Sequence, residues 1–267
     1  MKNWQPTPFL KCSLALHLAL LLAWLLQPAS WPLLLAIFLL DHLVIALAGL
    51  WPRSRLLGEN LVRLPAAAAA RGEVAITIDD GPDPVVTPQV LRILAAHGAK
   101  ASFFCIGERA AAHPELVQAI VAAGHAVENH GQRHRNALAF SGFAGWRREL
   151  ADAQHTLTAL AGSPPRFYRA LAGIRNPFLD PVLQSLGLRL ASWTRRGFDT
   201  RNASASDVLA RLSRDLAAGN ILLLHDGHAA RDAGGEPVIL AVLPELLTLL
   251  ARHGLRPVTL RDACHES

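Results

Sequence analysis

The sequence predicts an α/β domain with parallel strands, preceded by two apolar helices. Two long apolar runs fill most of residues 1–65. From residue 66 onward, apolar stretches of strand length alternate with amphipathic stretches of helix length, which is typical of a parallel sheet with helical crossovers. We therefore predict two units: a membrane-anchoring helical hairpin over residues 1–65 and a globular α/β domain over residues 66–267.

The composition supports a folded core and excludes several classes of protein. Of the 267 residues, 51% are hydrophobic and only 18% are charged, which excludes a disordered polyelectrolyte. Three cysteines in a chain of this length exclude a disulfide scaffold. More than half of the net charge of +5 lies in residues 1–65, and the rest has no run rich in lysine and arginine. We therefore expect no nucleic-acid partner, and no protein partner can be inferred.

The two apolar runs cover residues 9–26 and 32–51. Each helix would be about 27–30 Å long, close to the thickness of a bilayer core. Trp4, Trp31 and Trp51 stand at the edges of the runs, where aromatic residues of membrane interfaces are common. We predict a membrane hairpin with the lipid bilayer as its partner. A cleaved signal peptide and a pair of buried core helices are the alternatives.

Two polar residues stand at equivalent depths in the predicted hairpin. His17 and Asp41 are equally far from residue 29, the midpoint between the runs. An aspartate in the middle of a membrane is costly without a partner, so we expect these two side chains to face each other. Pairing of Asp41 with water or with His42 is the alternative.

The positive charges around the runs predict the side of the membrane. They are Lys2, Lys11, Arg53, Arg55 and Arg63, and the connecting sequence QPASW has none. The positive-inside rule then predicts a multi-pass protein of the cytoplasmic (inner) membrane, with the α/β domain on the cytoplasmic face. If the run that contains Asp41 failed to span the bilayer, the domain would face outward.

The α/β domain begins after the sequence PAAAAARGE, which we interpret as a linker without an apolar face. The strand candidates are residues 73–78, 100–105, 125–129, 166–170, 188–193, 220–225 and 256–260. The helix candidates are residues 87–97, 114–123, 143–161, 177–186, 206–217 and 236–253. Ser204 and Asp207 match a helix N-cap signature.

The carboxyl ends of parallel strands are where such folds place their functional sites. At the first end, Asp79 and Asp80 follow an apolar strand and precede Gly81-Pro82. Successive side chains of an extended chain point in opposite directions, so the two carboxylates suit different roles, such as a base and a metal ligand. The alternative is an ordinary turn, in which Asp, Gly and Pro are common.

His130 and His134 follow the strand candidate 125–129. At this spacing, two histidines on a helical turn share one face and can bind one metal ion, with Asp80 as a third ligand. Such a set leaves an open coordination position, which is typical of a catalytic metal. With 12 histidines in the chain, a chance pair is the alternative.

Three later strand ends carry further candidates. Arg169 could hold a carboxylate through two hydrogen bonds. Asp199 follows Trp193 in a polar segment, and His225 follows a run of leucines whose apolar surroundings can tune its pKa. Taken singly, a surface arginine and a structural histidine are the alternatives.

The order of these motifs resembles the polysaccharide deacetylases, the NodB-like enzymes of carbohydrate esterase family four. The motifs are TIDDG, HGQRH, an arginine at a strand end, W…D and LLLHD, and the resemblance covers roughly residues 73–260. It implies a distorted seven-stranded (β/α) barrel, preceded here by the two predicted transmembrane helices. It also implies hydrolysis of an N-acyl group, in the first place N-acetyl, on an amino sugar.

The resemblance implies a role for each matching residue. Asp79 corresponds to the general base. Asp80, His130 and His134 correspond to the ligands of one divalent metal ion, commonly zinc. Arg169 corresponds to the arginine that orients the base.

The remaining implied roles lie later in the chain. His225 corresponds to the catalytic acid and Asp199 to the carboxylate that tunes it. The backbone N–H of Ala172 corresponds to the oxyanion donor, and Leu223 to an apolar residue of the acetyl pocket.

The chain departs from the family pattern at several positions. Gly131 stands where serine or threonine is usual. Leu171 and Ala172 replace the proline and the aromatic residue of the third motif, and Thr200 replaces the tryptophan that usually follows the aspartate of the fourth. The charged and metal-binding positions are retained, so the departures put the substrate in doubt more than the chemistry.

The sequence therefore predicts a metal-dependent hydrolase of linear amides. The expected substrate is an N-acylated amino sugar of an envelope glycan or a lipid-linked precursor, and membrane anchoring favours a polyprenyl-linked sugar. A non-catalytic sugar-binding or metal-binding membrane protein on the same fold is one alternative. An O-esterase or deformylase that uses the same site is the other.

Overall fold

The computed structural model describes residues 4–265. It begins with helices α1 (Pro8–Leu26) and α2 (Trp31–Leu50), joined by the short turn Pro28–Ser30. Both helices are long and apolar enough to cross a membrane. Most of their leucine side chains are exposed. This exposure excludes the alternative of buried core helices. A membrane anchor and a signal sequence are both compatible with it.

His17 and Asp41 lie against each other between α1 and α2. His17 Nε2 is 3.7 Å from an Asp41 carboxylate oxygen, which confirms the predicted pairing. Ser13, which the sequence did not single out, donates a 2.6 Å hydrogen bond to the same oxygen. The hairpin thus holds its aspartate with two polar partners from the facing helix, as a carboxylate in apolar surroundings requires.

The α/β domain is built on one parallel sheet, which has eight strands in the described region. The strands are β1 (Glu73–Asp79), β2 (Ala101–Cys105), β3 (Ala126–Asn129), β4 (Phe167–Tyr168), β5 (Arg189–Leu190), β6 (Arg195–Arg196), β7 (Ile221–His225) and β8 (Arg256–Val258). Their order is β5-β4-β3-β2-β1-β7-β6, and β8 pairs with the start of β1.

Helices connect the strands and cover the sheet. They are α3 (Ala66–Ala70), α4 (Thr87–Ala96), α5 (Gly107–Ala112), α6 (Pro114–Ala122), α7 (Phe143–Ala161), α8 (Leu179–Ser185), α9 (Ala205–Ser213), α10 (Val238–Arg252) and α11 (Leu260–Ala263). Ser204 caps α9 by accepting from Asp207 N–H, which confirms the predicted N-cap.

The central strands are buried on both faces. Val74, Ile76 and Ile78 of β1 contribute to one apolar cluster, whereas Ala75 contributes to a second cluster on the opposite face. All seven residues of β1 are buried, which is typical of a parallel strand between two layers. The second cluster fills the inside of the curved sheet, so the α/β barrel-like fold class predicted from the sequence is confirmed.

Two local predictions were wrong. The strand candidate 188–193 ends at Leu190, and the chain then crosses to the opposite edge of the sheet to form β6. These two edges do not pair with each other. Leu61 lies in the gap, where its N–H donates to Leu190 and its carbonyl accepts from Ser192. The predicted linker 65–73 contains α3, whose Ala68 is fully buried.

Residues 51–65 leave the hairpin and run along the α/β domain. Leu57 and Leu64 are buried there, and Thr194 Oγ1 donates to the Val62 carbonyl. The contacts of this segment therefore belong to the α/β domain, although the sequence groups it with the hairpin. The division at residue 65 stays a prediction.

Candidate active site

A cavity of about 310 Å³ opens at the carboxyl ends of the strands. Its lining includes the predicted site residues Asp79, Asp80, His130, His134, Ala172, Leu223 and His225. Arg169 and Asp199 lie directly behind this lining, where each contacts one of its members. The structure therefore brings together the side chains that sequence analysis selected at five separate points of the chain.

Asp80, His130 and His134 converge on one point. Asp80 Oδ1 lies 3.1 Å from His130 Nε2 and 3.0 Å from His134 Nε2, and the three ligand atoms lie within 4.8 Å of one another. His130 Nδ1 lies 2.9 Å from the Arg169 carbonyl. A proton on Nδ1 would donate to this carbonyl and leave the Nε2 lone pair directed at Asp80.

The two histidines lie on a loop. The prediction of a helical turn from their spacing was therefore wrong. Gly131 and His134 both adopt positive φ angles, of 84° and 56°, which turn the chain back on itself. The Glu149 carboxylate stabilises this turn by accepting from the N–H groups of Arg133 and His134. The loop thus brings the two imidazoles to one point, as a helical turn would have done through its periodicity.

The chemistry of this donor set fits a divalent metal ion. Asp80 Oδ1 and His134 Nε2 are buried and close together, yet neither makes a hydrogen bond of acceptable geometry. Buried polar atoms without partners are rare, and lone pairs that face a common point suit a cation. Burial alone would raise the pKa of Asp80, but the neighbouring imidazoles of His130 and His134 outweigh burial and lower it.

Asp79 is held by a buried arginine. Arg169 Nη1 donates 2.7 Å hydrogen bonds to Asp79 Oδ1 and to Thr77 Oγ1. The rest of the guanidinium donates to the carbonyls of Ala191 and Ser192, and it stacks 4.0 Å from the Phe104 ring centre. With every edge of the guanidinium engaged, Arg169 can fix one carboxylate oxygen of Asp79 and leave the other facing the cavity.

His225 stands beside Asp79 on the neighbouring strand. The two residues are register partners in the parallel pair β1–β7. His225 Nδ1 lies 2.8 Å from Asp199 Oδ1, and the second oxygen of Asp199 accepts from the His225 backbone N–H. Burial opposes the charged imidazole, but the hydrogen bond and charge of Asp199 outweigh burial and raise the pKa of His225. This arrangement favours a protonated histidine at the cavity wall.

Ala172 and Leu223 complete the predicted set. Leu223 is buried in β7 and contributes to the cavity wall near Trp193. Ala172 lies in the turn Leu171–Gly173, with a φ of 50° that is uncommon for a residue with a side chain. A strained backbone at a cavity wall is typical of functional segments.

Sequence analysis missed three side chains of the site. Glu149 holds the histidine loop, and it lies one helical turn from Trp146 on the buried face of α7, so its spacing was a usable signal. His228 follows His225 by three residues and lies 3.3 Å from Asp80 Oδ2. Arg196 lines the cavity from β6, a strand that the sequence did not predict.

The arrangement can support hydrolysis. It combines a carboxylate fixed by an arginine, a donor set for a metal ion and a histidine kept charged by a second carboxylate, all around one cavity. These are the parts that acyl hydrolysis needs: activation of water, stabilisation of an oxyanion and protonation of a leaving group.

Comparison with known proteins agrees with this geometry. Residues 67–191 match the family model described as polysaccharide deacetylase. The chain is similar to a chitooligosaccharide deacetylase of Sinorhizobium fredii, with 31% identity over 202 residues, 73% of this chain and 94% of that one. It also resembles the crystal structure of a peptidoglycan N-acetylglucosamine deacetylase in complex with 4-naphthalen-1-yl-N-oxidanyl-benzamide, with a TM-score of 0.70, 28% identity, and 78% and 94% of the two chains covered.

A further solved structure shares the fold alone. It is a CE4 family pseudoenzyme from Bacillus anthracis, with a TM-score of 0.68, 20% identity, and 77% of this chain and 68% of that one covered. The fold therefore also occurs in a pseudoenzyme, and it does not by itself imply activity.

Proposed function

Because the chain belongs to the polysaccharide deacetylase family, we propose that it is a metal-dependent hydrolase that removes an N-acyl group, in the first place N-acetyl, from an amino sugar. One observation carries this proposal: the arginine-held Asp79 and the Asp199-held His225 stand in register beside the triad Asp80, His130 and His134. A binding protein has no need for both a base and an acid around its metal ligands.

Asp80, His130 and His134 would hold one divalent ion, and the mixed nitrogen and oxygen donors suit zinc. When bound, such an ion lowers the pKa of a water molecule toward ~7 and polarises a carbonyl group. This ligand set leaves room for water and substrate on the cavity side.

Asp79 would accept a proton from the attacking water. The hydrogen bond from Arg169 holds one carboxylate oxygen of Asp79 and leaves the other free to face the cavity. As the water oxygen bonds to the acyl carbon, negative charge develops on the carbonyl oxygen. The backbone N–H of Ala172 is proposed to donate to this oxygen, and Leu223 to contact the acyl methyl group.

His225 would then protonate the leaving nitrogen. The C–N bond breaks, the sugar leaves as an amine that carries the proton from His225, and the acyl group leaves as a carboxylic acid that gives its remaining proton to solvent. Before this transfer, Asp199 stabilises the protonated ring of His225. It also orients the ring through Nδ1, so that Nε2 faces the cavity. The proton that Asp79 took from water restores the balance when it returns to His225 or to solvent.

The N-terminal helices are proposed as a two-span anchor in the cytoplasmic (inner) membrane, separate from a catalytic domain over residues 66–267. Their length and exposed leucines support this proposal. The charge pattern supports the cytoplasmic face, although Lys2 lies outside the described residues. An anchored enzyme meets envelope glycans and lipid-linked precursors more readily than free sugars.

Mass spectrometry of acyl release tests the proposal. The purified full chain with zinc is incubated with polymeric and lipid-linked N-acetylated amino sugars, an O-acetylated sugar and an N-formylated sugar. Release of acetate from an N-acetylated sugar is expected. Release only from the O-acetylated sugar would indicate an esterase, and release only from the N-formylated sugar would indicate a deformylase. No release from any substrate would indicate a pseudoenzyme.

A further inference from the structure

Three exposed phenylalanine side chains lie on two segments near the cavity, residues 140–143 and Phe178. Phe140 is 92% exposed, Phe178 is 50% and Phe143 is 43%. Phe140 ends the helical turn Asn136–Phe140, which lines the cavity through its earlier residues. A cluster of large apolar side chains on a water-facing surface is unfavourable without a partner, so it marks an interaction surface.

A single asparagine joins the two segments that carry these three residues. Asn176 Nδ2 donates to the carbonyls of Ala139 and Ser141, and Asn176 Oδ1 accepts from Phe178 N–H at 3.0 Å. The segment that carries Phe140 and Phe143 is therefore fixed against the segment that carries Phe178. We call Phe140, Phe143 and Phe178 the aromatic rim.

The aromatic rim is continuous with the end of α2. Arg175, three residues before Phe178, donates its backbone N–H to the Gly49 carbonyl in the last turn of α2 at 3.0 Å and its Nη2 to the Ser54 carbonyl. Trp51, which follows α2 directly, is 66% exposed. The point where the hairpin would leave the bilayer is thus bound to the same segment as the rim.

This segment is also a wall of the cavity. Leu171, Ala172 and Ile174 line the cavity, while Gly173 between them packs against Pro52 and Trp193. The wall of the cavity thus contacts Pro52, which lies two residues after the end of α2. A substrate that reaches the cavity past the rim would therefore come from the surface of the membrane.

Two arginines add positive charge to the wall of the same cavity. Arg196 and Arg201 line it, and Arg196 Nε is buried without a hydrogen-bond partner. The site already contains Arg169 for the carboxylate of Asp79, and a divalent ion would add further positive charge. An anionic group on the substrate would provide the missing acceptor, and guanidinium groups bind phosphate well.

We infer that the aromatic rim rests on the bilayer and that the substrate is an N-acylated amino sugar carried on a lipid phosphate. Phenylalanine side chains at the rim would lie among the headgroups and upper acyl chains, in continuity with Trp51. This inference rests on the proposed function, because it names the substrate class of the same site.

Kinetics on matched substrates tests the inference with the full chain in liposomes. The substrates are N-acetylglucosamine phosphate on a polyprenyl chain in the vesicles, the same sugar phosphate as its methyl ester in solution, and chitotetraose. The triple variant Phe140→Ser, Phe143→Ser, Phe178→Ser should lower the ratio of kcat/KM for the lipid-borne to the methyl substrate by about tenfold or more. Val121→Ser, an exposed apolar position on α6, is the control and should keep this ratio.

A second pair of variants tests the phosphate. Arg196→Gln with Arg201→Gln should lower the ratio of kcat/KM for the methyl sugar phosphate to chitotetraose by about tenfold, as expected for lost charge-assisted hydrogen bonds. Arg92→Gln on α4 is the exposed control. Unchanged ratios in both variant sets, with acetate still released from chitotetraose, would overturn the inference and leave the proposed function intact. No acetate from any substrate would overturn both.

A direct measurement of contact with lipid does not depend on activity. Phe140→Trp and Val121→Trp are compared with the wild-type chain in vesicles of lipids brominated near the headgroup. The fluorescence added at position 140 should be quenched and that added at position 121 should not. Equal quenching at both positions would overturn the inference, as would a triple variant that loses activity on chitotetraose alone, because the rim would then bind the sugar chain.

Discussion

The inner and outer parts of the site are built differently. The inner part, formed by Asp79, Asp80, His130, Arg169 and His225 and called here the strand-end cluster, lies at the ends of buried strands and matches the family motifs. The outer part, called here the loop wall, consists of residues 136–140, 171–174 and 196–201 and departs from those motifs at Leu171, Ala172 and Thr200. Strand ends place Asp79, Arg169 and His225, whereas loops carry His134, Ala172 and Asp199 and form the outer wall of the cavity.

This contrast has a physical origin. Strand ends in register offer little freedom, so a carboxylate such as Asp79 is fixed by the sheet and by one buried arginine. The loop wall depends on contacts with Pro52, Gly49 and Asn176. None of these residues lies in a strand of the sheet. Changes in the strand-end cluster should therefore abolish turnover, and changes in the loop wall should alter stability or substrate choice.

The largest effect is expected from Asp79→Asn. An amide cannot accept the proton from water, so kcat should fall by about 10²–10⁴, the usual contribution of a general base. The bound metal per chain, measured by mass spectrometry of the metal, should stay as in the wild type because Asp79 lies outside the triad. Asp215→Asn, an exposed surface change, is the control. A kcat within tenfold of wild type would remove Asp79 from the mechanism.

His225→Ala should reduce turnover of amide substrates by a similar factor of about 10²–10⁴. The effect should shrink on an activated ester of the same acyl group, because its leaving group needs no proton. Acyl release from both substrates measures this difference. Equal losses on the amide and the ester would contradict the role of His225 as the acid.

Gly173→Ala tests the connection between the loop wall and the hairpin. Gly173 has a φ of 76°, and a Cβ there would overlap Pro52 and press on Trp193. We expect a loss of about 1–3 kcal/mol in the free energy of unfolding, with reduced acyl release. Gly98→Ala is a matched control, since its φ is 59° but nothing lies near its Cβ. Equal losses in chemical unfolding would show that the contact with Pro52 contributes nothing.

Of these variants, Asp199→Asn should change the maximum of kcat least. Its main effect should be on the pH dependence of kcat. Asp199 raises the pKa of His225, so the protonated acid persists to higher pH in the wild type. Without this carboxylate the pKa of His225 falls, and activity should be lost at lower pH as the pH rises. The alkaline limb of kcat against pH is the measurement. A limb that stays in place would contradict the assignment of His225 and Asp199 as a coupled pair.

The sequence predicted the strand-end cluster better than the loop wall. Asp79, His225 and Arg169 follow apolar strands, so their position at one edge of a parallel sheet follows from the fold class. Asp199 stood out only as a polar residue after Trp193, and its role came from the family resemblance. The convergence of His130 and His134 was expected for the wrong reason, since two positive φ angles replace the helical turn.

Other features could not be predicted because they depend on distant contacts. After Leu190 the chain crosses to the opposite edge of the sheet, where β6 pairs with β7. Leu61 lies in the gap between the two edges. The aromatic rim exists because Asn176 joins segments some 35 residues apart, and no local pattern encodes that contact. Glu149 is the exception, because its place on the buried face of α7 was visible in the helical spacing.

The proposed chemistry depends on one divalent ion held by Asp80, His130 and His134. The most direct test measures metal content and acetate release together in the wild-type chain and in His134→Ala, with the partly exposed His113→Ala as control. We predict one ion per chain and acetate release for the wild type and the control, and loss of both in His134→Ala. Acetate release that persists in metal-free His134→Ala would contradict the account.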